Sequence, residues 1–280
     1  MAFDPTTATL TFDEAERVMW ADSGTAYEAV YASMCAHAIP ALLDAVTLAP
    51  DSSLLDVGTG TGNAARAAVA RGARVTAIDA EPTMLDLAQR KVPEAEFHLA
   101  TVPDLPFEQA SFDAVVGNFV LNHFGKPKVA LKALCSVAKP GGRVALTLWP
   151  TETTPGRAIF RRAMAETEGW VPHELPAIDP ADDYPRTADG LDGLFREAGL
   201  EDVATSVIEW EHRTTTDEWW ISIGAGVAGS GRAYAAQTPE VRTEFHQNYL
   251  RLAAELTDEE GTLRLPYMAL LAVGTVADGD

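Results

Sequence analysis

"LLDVGTGTGNAARAAVARGARVTAID", residues 54–79, decides the fold. An apolar run carries Asp56 and leads into Gly58, Gly60 and Gly62, after which the composition turns alanine-rich and helical. Glycines placed just past a strand let a ligand come close to the main chain, and the helix that follows points its free N–H groups at that ligand. Asn63 is expected to cap the helix. A second apolar run, "RVTAID", ends on Asp79. The unit reads as strand, glycine turn, helix and strand, with a carboxylate near the end of each strand.

The same alternation continues outward. Strands are expected at "SLLDVG" (53–58), "RVTAID" (74–79), "EFHLA" (96–100), "FDAVVGNF" (112–119) and "GRVALTLW" (142–149), with helices beginning near Asn63, Pro82 and Pro127. Near-continuous apolar strands between helices indicate a parallel sheet covered on both faces. Gly72 and Gly141 stand where helix ends call for positive φ. After Trp149 the rhythm changes. A helix is expected around 157–167, another at 191–200, a strand near 203–211 and a long helical insertion over 216–258. Within it Val241, Phe245, Tyr249, Leu252 and Leu256 form a one-sided stripe. The stretch "LRLPYMALLAVGTVA" closes the chain as a buried strand, and Pro40 is expected to break the helices ahead of the first strand.

Forty-one acidic residues against 21 basic ones give a formal charge of −20. Such a surface repels phosphate backbones and anionic lipid, so neither nucleic acid nor a membrane is an expected partner. No apolar run reaches the ~18 residues that cross a bilayer, and the start of the chain lacks a basic-then-apolar leader, so the expected compartment is the cytoplasm. Cys35 and Cys135 have no ligand-like neighbours and read as two separate thiols, with no metal site.

A dinucleotide fingerprint, G-x-G-x-x-G/A, is incomplete here because position 63 is Asn. Asp56, two residues before the first glycine, would repel a pyrophosphate and attract an ammonium group. At these residues the chain resembles the class I S-adenosylmethionine-dependent methyltransferases, in particular the group with the ubiquinone and menaquinone methyltransferases. "LLDVGTGTGN" is similar to their first motif and Asp79 in "VTAIDAEPTML" to their second. "FHLATVPDLPFEQASFDAVVGNFVLNH" is similar to the third and fourth, and "AKPGGRVALTLW" to the strand after them.

The resemblance implies an α/β fold: a Rossmann-like, doubly wound, mostly parallel seven-stranded sheet with a helical lid over the carboxyl ends of its strands. The expected organisation is a helical cap (1–50), a cofactor-binding core (51–150), a lid insertion (151–190), a core helix and strand (191–213), a helical lid insertion (214–262) and a final core strand (263–280). It also implies S-adenosylmethionine as cofactor. Asp56, Gly58 and Gly60 would hold its methionine end, with the Asn118 backbone nearby. Asp79 would accept the ribose hydroxyls, and Ala80 is a further cofactor-binding residue. Met84, Thr101 and the Val102 backbone would meet adenine, with Thr101 standing where the family often has Asp. Tyr27 matches a position that closes over the cofactor.

The acceptor is expected beyond the carboxyl ends of the strands, under the lid and away from water. Trp20, Tyr27, Tyr31, Trp149, Trp170, Tyr184, Trp219 and Trp220 make that region aromatic. It therefore suits a flat acceptor, with O, N and C all open as the methylated atom, in bacterial secondary metabolism. His123, in the loop after the fourth strand, is the candidate general base; His37, His173 and His246 have weaker claims. Three rivals stay open: a quinone-biosynthesis C-methyltransferase, a nicotinamide-dependent oxidoreductase and a non-catalytic cofactor-binding subunit. N-terminal helices of this kind can also pack across a homodimer.

Overall fold

The computed structural model describes residues 10–172 and 176–278. A seven-stranded sheet runs through it, built from β1 (Ser53–Val57), β2 (Arg74–Asp79), β3 (Glu96–Leu99), β4 (Phe112–Asn118), β5 (Ala138–Leu148), β6 (Leu200–Thr214) and β7 (Leu263–Val276) in the order β3-β2-β1-β4-β5-β7-β6. The first five strands are parallel, and β7 lies antiparallel between β5 and β6. The order reverses between β1 and β4, and a crevice at that switch point is where an open α/β sheet binds ligands.

Neighbouring residues of β1 face opposite sides of the sheet. Leu54 packs with Leu42 and Leu43 of α3 (Ile39–Ala45) and with Ala65 and Ala68 of α4 (Asn63–Ala70). Leu55 packs with Leu131 and Leu134 of α6 (Pro127–Val137) and with Leu194 and Phe195 of α8 (Ala188–Glu197). All eight partners are at most 2% exposed, and full burial of a side chain of this size stabilises by about 1.5–3 kcal/mol. The sheet is thus covered on both faces.

Helix α4 departs from expectation at its start. Its N-cap is Gly62, at φ +86°, and the Asn63 amide instead donates to the Ala32 carbonyl of α2 (Gly24–Ala36). Gly141 also differs: its φ of +71° falls inside the irregular first half of β5 and not at a helix end. Pro40 lies in the first turn of α3, after the break that follows α2.

A third cluster lies above the carboxyl ends of the strands. It joins α2, α7 (Pro155–Ala165), α9 (Thr216–Gly224) and α11 (Pro239–Ala254) through Val30, Met34, Phe160, Trp219, Phe245 and Tyr249. The expected single insertion is therefore three helices, with α10 (Ala228–Ala235) in the middle. Strand β6 starts before and ends after the expected 203–211, and it pairs with β7 as far as Thr214 opposite Leu263. Helix α1 (Phe12–Trp20) completes the rim; Thr11 and Glu14 cap it reciprocally. No helix among the described residues is long and apolar enough to cross a membrane.

Candidate active site

The turn after β1 takes its shape from three glycines. Gly58 and Gly60 adopt φ of +64° and +55°, a region that strains residues carrying a Cβ. A Cβ on Gly58 would stand 2.5 Å from Val120 Cγ2, and one on Gly60 would stand 3.4 Å from Tyr27 Cε1. The Gly60 N–H donates to Asp79 Oδ2 at 2.8 Å, and the Glu81 N–H donates to Asp79 Oδ1 at 3.0 Å. The second carboxylate therefore braces the first turn.

Burial raises the Asp79 carboxyl above the usual carboxylate range, and it pushes Asp56 up to about 6. Asp56 is 1% exposed and accepts the Thr59 hydroxyl at 2.7 Å. No basic side chain among the described residues pairs with either carboxylate. Both are desolvated negative charges, an environment that favours a cationic or hydroxyl-bearing ligand.

A chamber of about 720 Å³ opens between this turn and the helical roof. Of the residues expected at the site, Gly58, Gly60, Asp79, Ala80, Met84, Thr101, Val102 and Asn118 line it, as do Tyr27, His123, Trp20, Tyr31, Trp149 and Trp219. Asp56 does not reach that wall. It borders a separate space of about 20 Å³, shared with Gly58, Tyr27 and Asn118, which is room for about one water molecule. The Asn118 side chain is spent within the protein, donating to the Cys35 carbonyl at 3.0 Å and accepting the Thr147 hydroxyl at 2.8 Å.

The aromatic residues divide. Tyr27 and Tyr31, four apart on α2, share one face of that helix and continue a series from Trp20 to Trp219, with successive ring centres 5.9, 6.3 and 5.8 Å apart. Trp220 does not join the chamber; it packs on His246 at 4.2 Å and on Tyr249 at 5.0 Å. Trp170 packs on Phe245, and Tyr184 belongs to the core beneath the sheet. His37 stacks on Trp210, away from the chamber wall, and His173 lies outside the described residues.

His123 ends a short 3-10 turn after β4, with Nδ1 2.7 Å from Glu16 Oε2 of α1. The Trp20 indole N–H donates to the same oxygen at 3.1 Å. An ionised carboxylate only accepts hydrogen bonds, so this contact puts the neutral ring's proton on Nδ1 and leaves Nε2 as the acceptor. Asp13 ties α1 to the same loop by accepting the Gly125 N–H at 2.6 Å.

Three residues that sequence reasoning missed belong to the chamber: Glu16, Phe119 and Arg157. Phe119 takes φ +61°, its N–H donates to Thr147 Oγ1 at 2.9 Å, and its ring stacks on Trp149 with centres 4.0 Å apart. A non-glycine residue in this conformation costs about 1–2 kcal/mol, and strain of that kind gathers at binding sites. Nothing in a linear pattern announces φ at Phe119 or the pairing of Glu16 with a histidine 107 positions away.

Comparison with known proteins adds the family. Residues 55–146 match the family described as "Methyltransferase domain". An uncharacterised methyltransferase of Mycobacterium tuberculosis is 30% identical over 242 residues, covering 85% of this chain and 89% of that one. The demethylmenaquinone methyltransferase of Renibacterium salmoninarum is 34% identical over 137 residues, covering 49% of this chain and 55% of that one. Against curated relatives of this second kind, the match spans about half their length or less. Among solved structures, a Haemonchus contortus phosphoethanolamine N-methyltransferase bound to S-adenosylhomocysteine shares the fold at TM-score 0.56 and 15% identity, covering 97% of this chain and 61% of that one.

Proposed function

Because the chain belongs to the class I S-adenosylmethionine-dependent methyltransferases, we propose that it transfers a methyl group from S-adenosylmethionine to a small aromatic acceptor with an ionisable hydroxyl. One observation carries this reading: a single chamber runs from the glycine turn and Asp79 to the stacked Phe119 and Trp149. Its volume of about 720 Å³ lies in the upper part of the range for small-molecule sites. The family rules against a nicotinamide-dependent oxidoreductase.

The residues present suit the cofactor. Asp79 offers a buried carboxylate for the ribose hydroxyls. Met84, Thr101 and Val102 offer an apolar slot with one hydroxyl for adenine. The Gly58 and Gly60 turn would hold the methionine end, and Asp56, bordering the small space beside Gly58, would favour its ammonium. When bound, S-adenosylmethionine supplies a methyl group on a sulfonium, already a good leaving group. The chain's own part is then alignment, exclusion of water and custody of one proton. Tyr27 and Trp20 close the roof above the turn. His123 Nε2 takes the acceptor's hydroxyl proton, while Glu16 keeps the ring in the required tautomer and stabilises its charged form.

A quinol ring carbon is the second reading, favoured by the likeness to the demethylmenaquinone enzyme. Both readings are tested by incubation with methyl-labelled S-adenosylmethionine and a panel of phenols, indoles, amines and quinols, followed by mass spectrometry. Label on a phenolic oxygen is expected. Label confined to quinol carbon selects the second reading. Cofactor binding without label on any acceptor overturns both and leaves a non-catalytic role.

A further inference from the structure

We propose that Arg157 binds a carboxylate carried by the acceptor, so that the substrates of this chamber are aromatic acids. The inference rests on the methyltransferase reading above and adds the acceptor's chemical class to it.

The chamber's charges are unevenly distributed. Helix α1 contributes Asp13, Glu14 and Glu16 together with Arg17, and Asp79, Glu81 and Asp104 add further acids, whereas Arg157, on α7, shares its part of the wall with Trp149, Phe160 and Tyr267 and no acid. Among the described residues, seven of the 16 arginines pair with a carboxylate. Arg162, on the same helix, takes Glu255, and Arg186 takes Asp183. Arg157 has no carboxylate within 4.0 Å among the described residues. Its side chain makes one hydrogen bond there, from Nη1 to the Pro150 carbonyl at 2.7 Å. The guanidinium carbon sits 5.4 Å from the centre of the Trp149 ring, which itself stacks on Phe119.

A guanidinium carries five N–H donors in a planar fork matched to a carboxylate. At Arg157, an exposed residue on the chamber wall, most of them are unspent on protein. Trp149 attracts the cation through its ring face, but an indole face cannot accept an in-plane fork of hydrogen bonds. An acid on a flat ring answers both features: the ring lies among Phe119, Trp149 and Phe160, and the carboxylate meets Nη2 and Nε. A neutral ring of the same size would make no use of those donors.

The test is calorimetric binding to the full chain saturated with S-adenosylhomocysteine, which needs no turnover. The probes are 4-hydroxybenzoate against 4-hydroxybenzamide, and 1-hydroxy-2-naphthoate against its carboxamide. Each acid is expected to bind at least about tenfold more tightly than its amide, the worth of one charge-assisted pair. Arg157→Gln should erase that preference while leaving S-adenosylhomocysteine affinity and the melting temperature near wild type, and Arg157→Lys should restore part of it. Equal binding of acid and amide to the wild type, absence of binding by both acids, or a preference that survives Arg157→Gln overturns the proposal. Failure of the methyltransferase reading would show separately, as loss of S-adenosylhomocysteine binding or of label transfer.

Discussion

The carboxylate of Glu16 lies 2.7 Å from Nδ1 of His123, across 107 residues of chain, and so decides which ring nitrogen can accept a proton. His123→Ala is expected to lower turnover of a phenolic acceptor by about 100-fold or more, with cofactor affinity unchanged. Glu16→Gln should lower kcat in the same sense, with little effect on KM for S-adenosylmethionine. Single-turnover kinetics with calorimetry on both variants checks this; wild-type turnover in His123→Ala would reduce the pair to a strut between α1 and its loop.

Asp56 sets stability against binding. Its carboxyl titrates near 6 in the folded chain and near 3.8 ordinarily. The folded state therefore holds that proton more tightly, and stability falls as pH rises from about 4 to about 6, a loss of about 3 kcal/mol that is complete above that window. Asp56→Asn should raise the melting temperature of the cofactor-free protein near neutral pH and weaken S-adenosylmethionine by about tenfold or more. Wild-type affinity for the cofactor should likewise fall as pH drops through about 6. Thermal melts and titrations on either side of that value decide the matter.

Gly58→Ala places a methyl group 2.5 Å from Val120 Cγ2 at a φ of +64°. The strain and the clash together should cost about 2 kcal/mol or more, and displacement of Val120 should disturb the chamber. A lower denaturation midpoint together with weaker cofactor binding is the expected pair of results.

Trp149 and Trp220 make a contrast within one residue type. Trp220→Ala removes contacts with His246, Tyr234 and Tyr249 outside the chamber, and should cost about 3 kcal/mol of stability while leaving acceptor KM alone. Trp149→Ala removes the partner of both Phe119 and Arg157, and should raise acceptor KM while S-adenosylmethionine affinity stays near wild type.

The half of the site made by local sequence was legible. Asp56, the three glycines and Asp79 occupy neighbouring strand ends, and the pattern that places them is a property of a few consecutive residues. Met84, Thr101 and Val102 follow from the same register. The acceptor half was legible only as composition. That its wall is aromatic could be read, but Trp220 and Trp219, adjacent in the chain, go to opposite fates because helix α9 turns one inward and the other towards α11. Asn63 does not cap its helix, because Gly62 holds that position and the Asn63 amide finds a carbonyl 31 positions earlier. Phe119, Arg157 and Glu16 owe their roles to contacts between distant segments, which no local pattern encodes.

The pairing of Thr214 with Leu263 has an evolutionary meaning. Everything between those residues, three helices and the chamber residues Trp219, Ala228, Gly229 and Ser230, leaves the β6–β7 ladder and returns to it on a single rung. Closing such a loop costs little more for a long insert than for a short one. Residues 215–262 therefore amount to an exchangeable cassette: a lineage can replace it, and with it part of the roof over the acceptor, without altering a single strand that carries the cofactor.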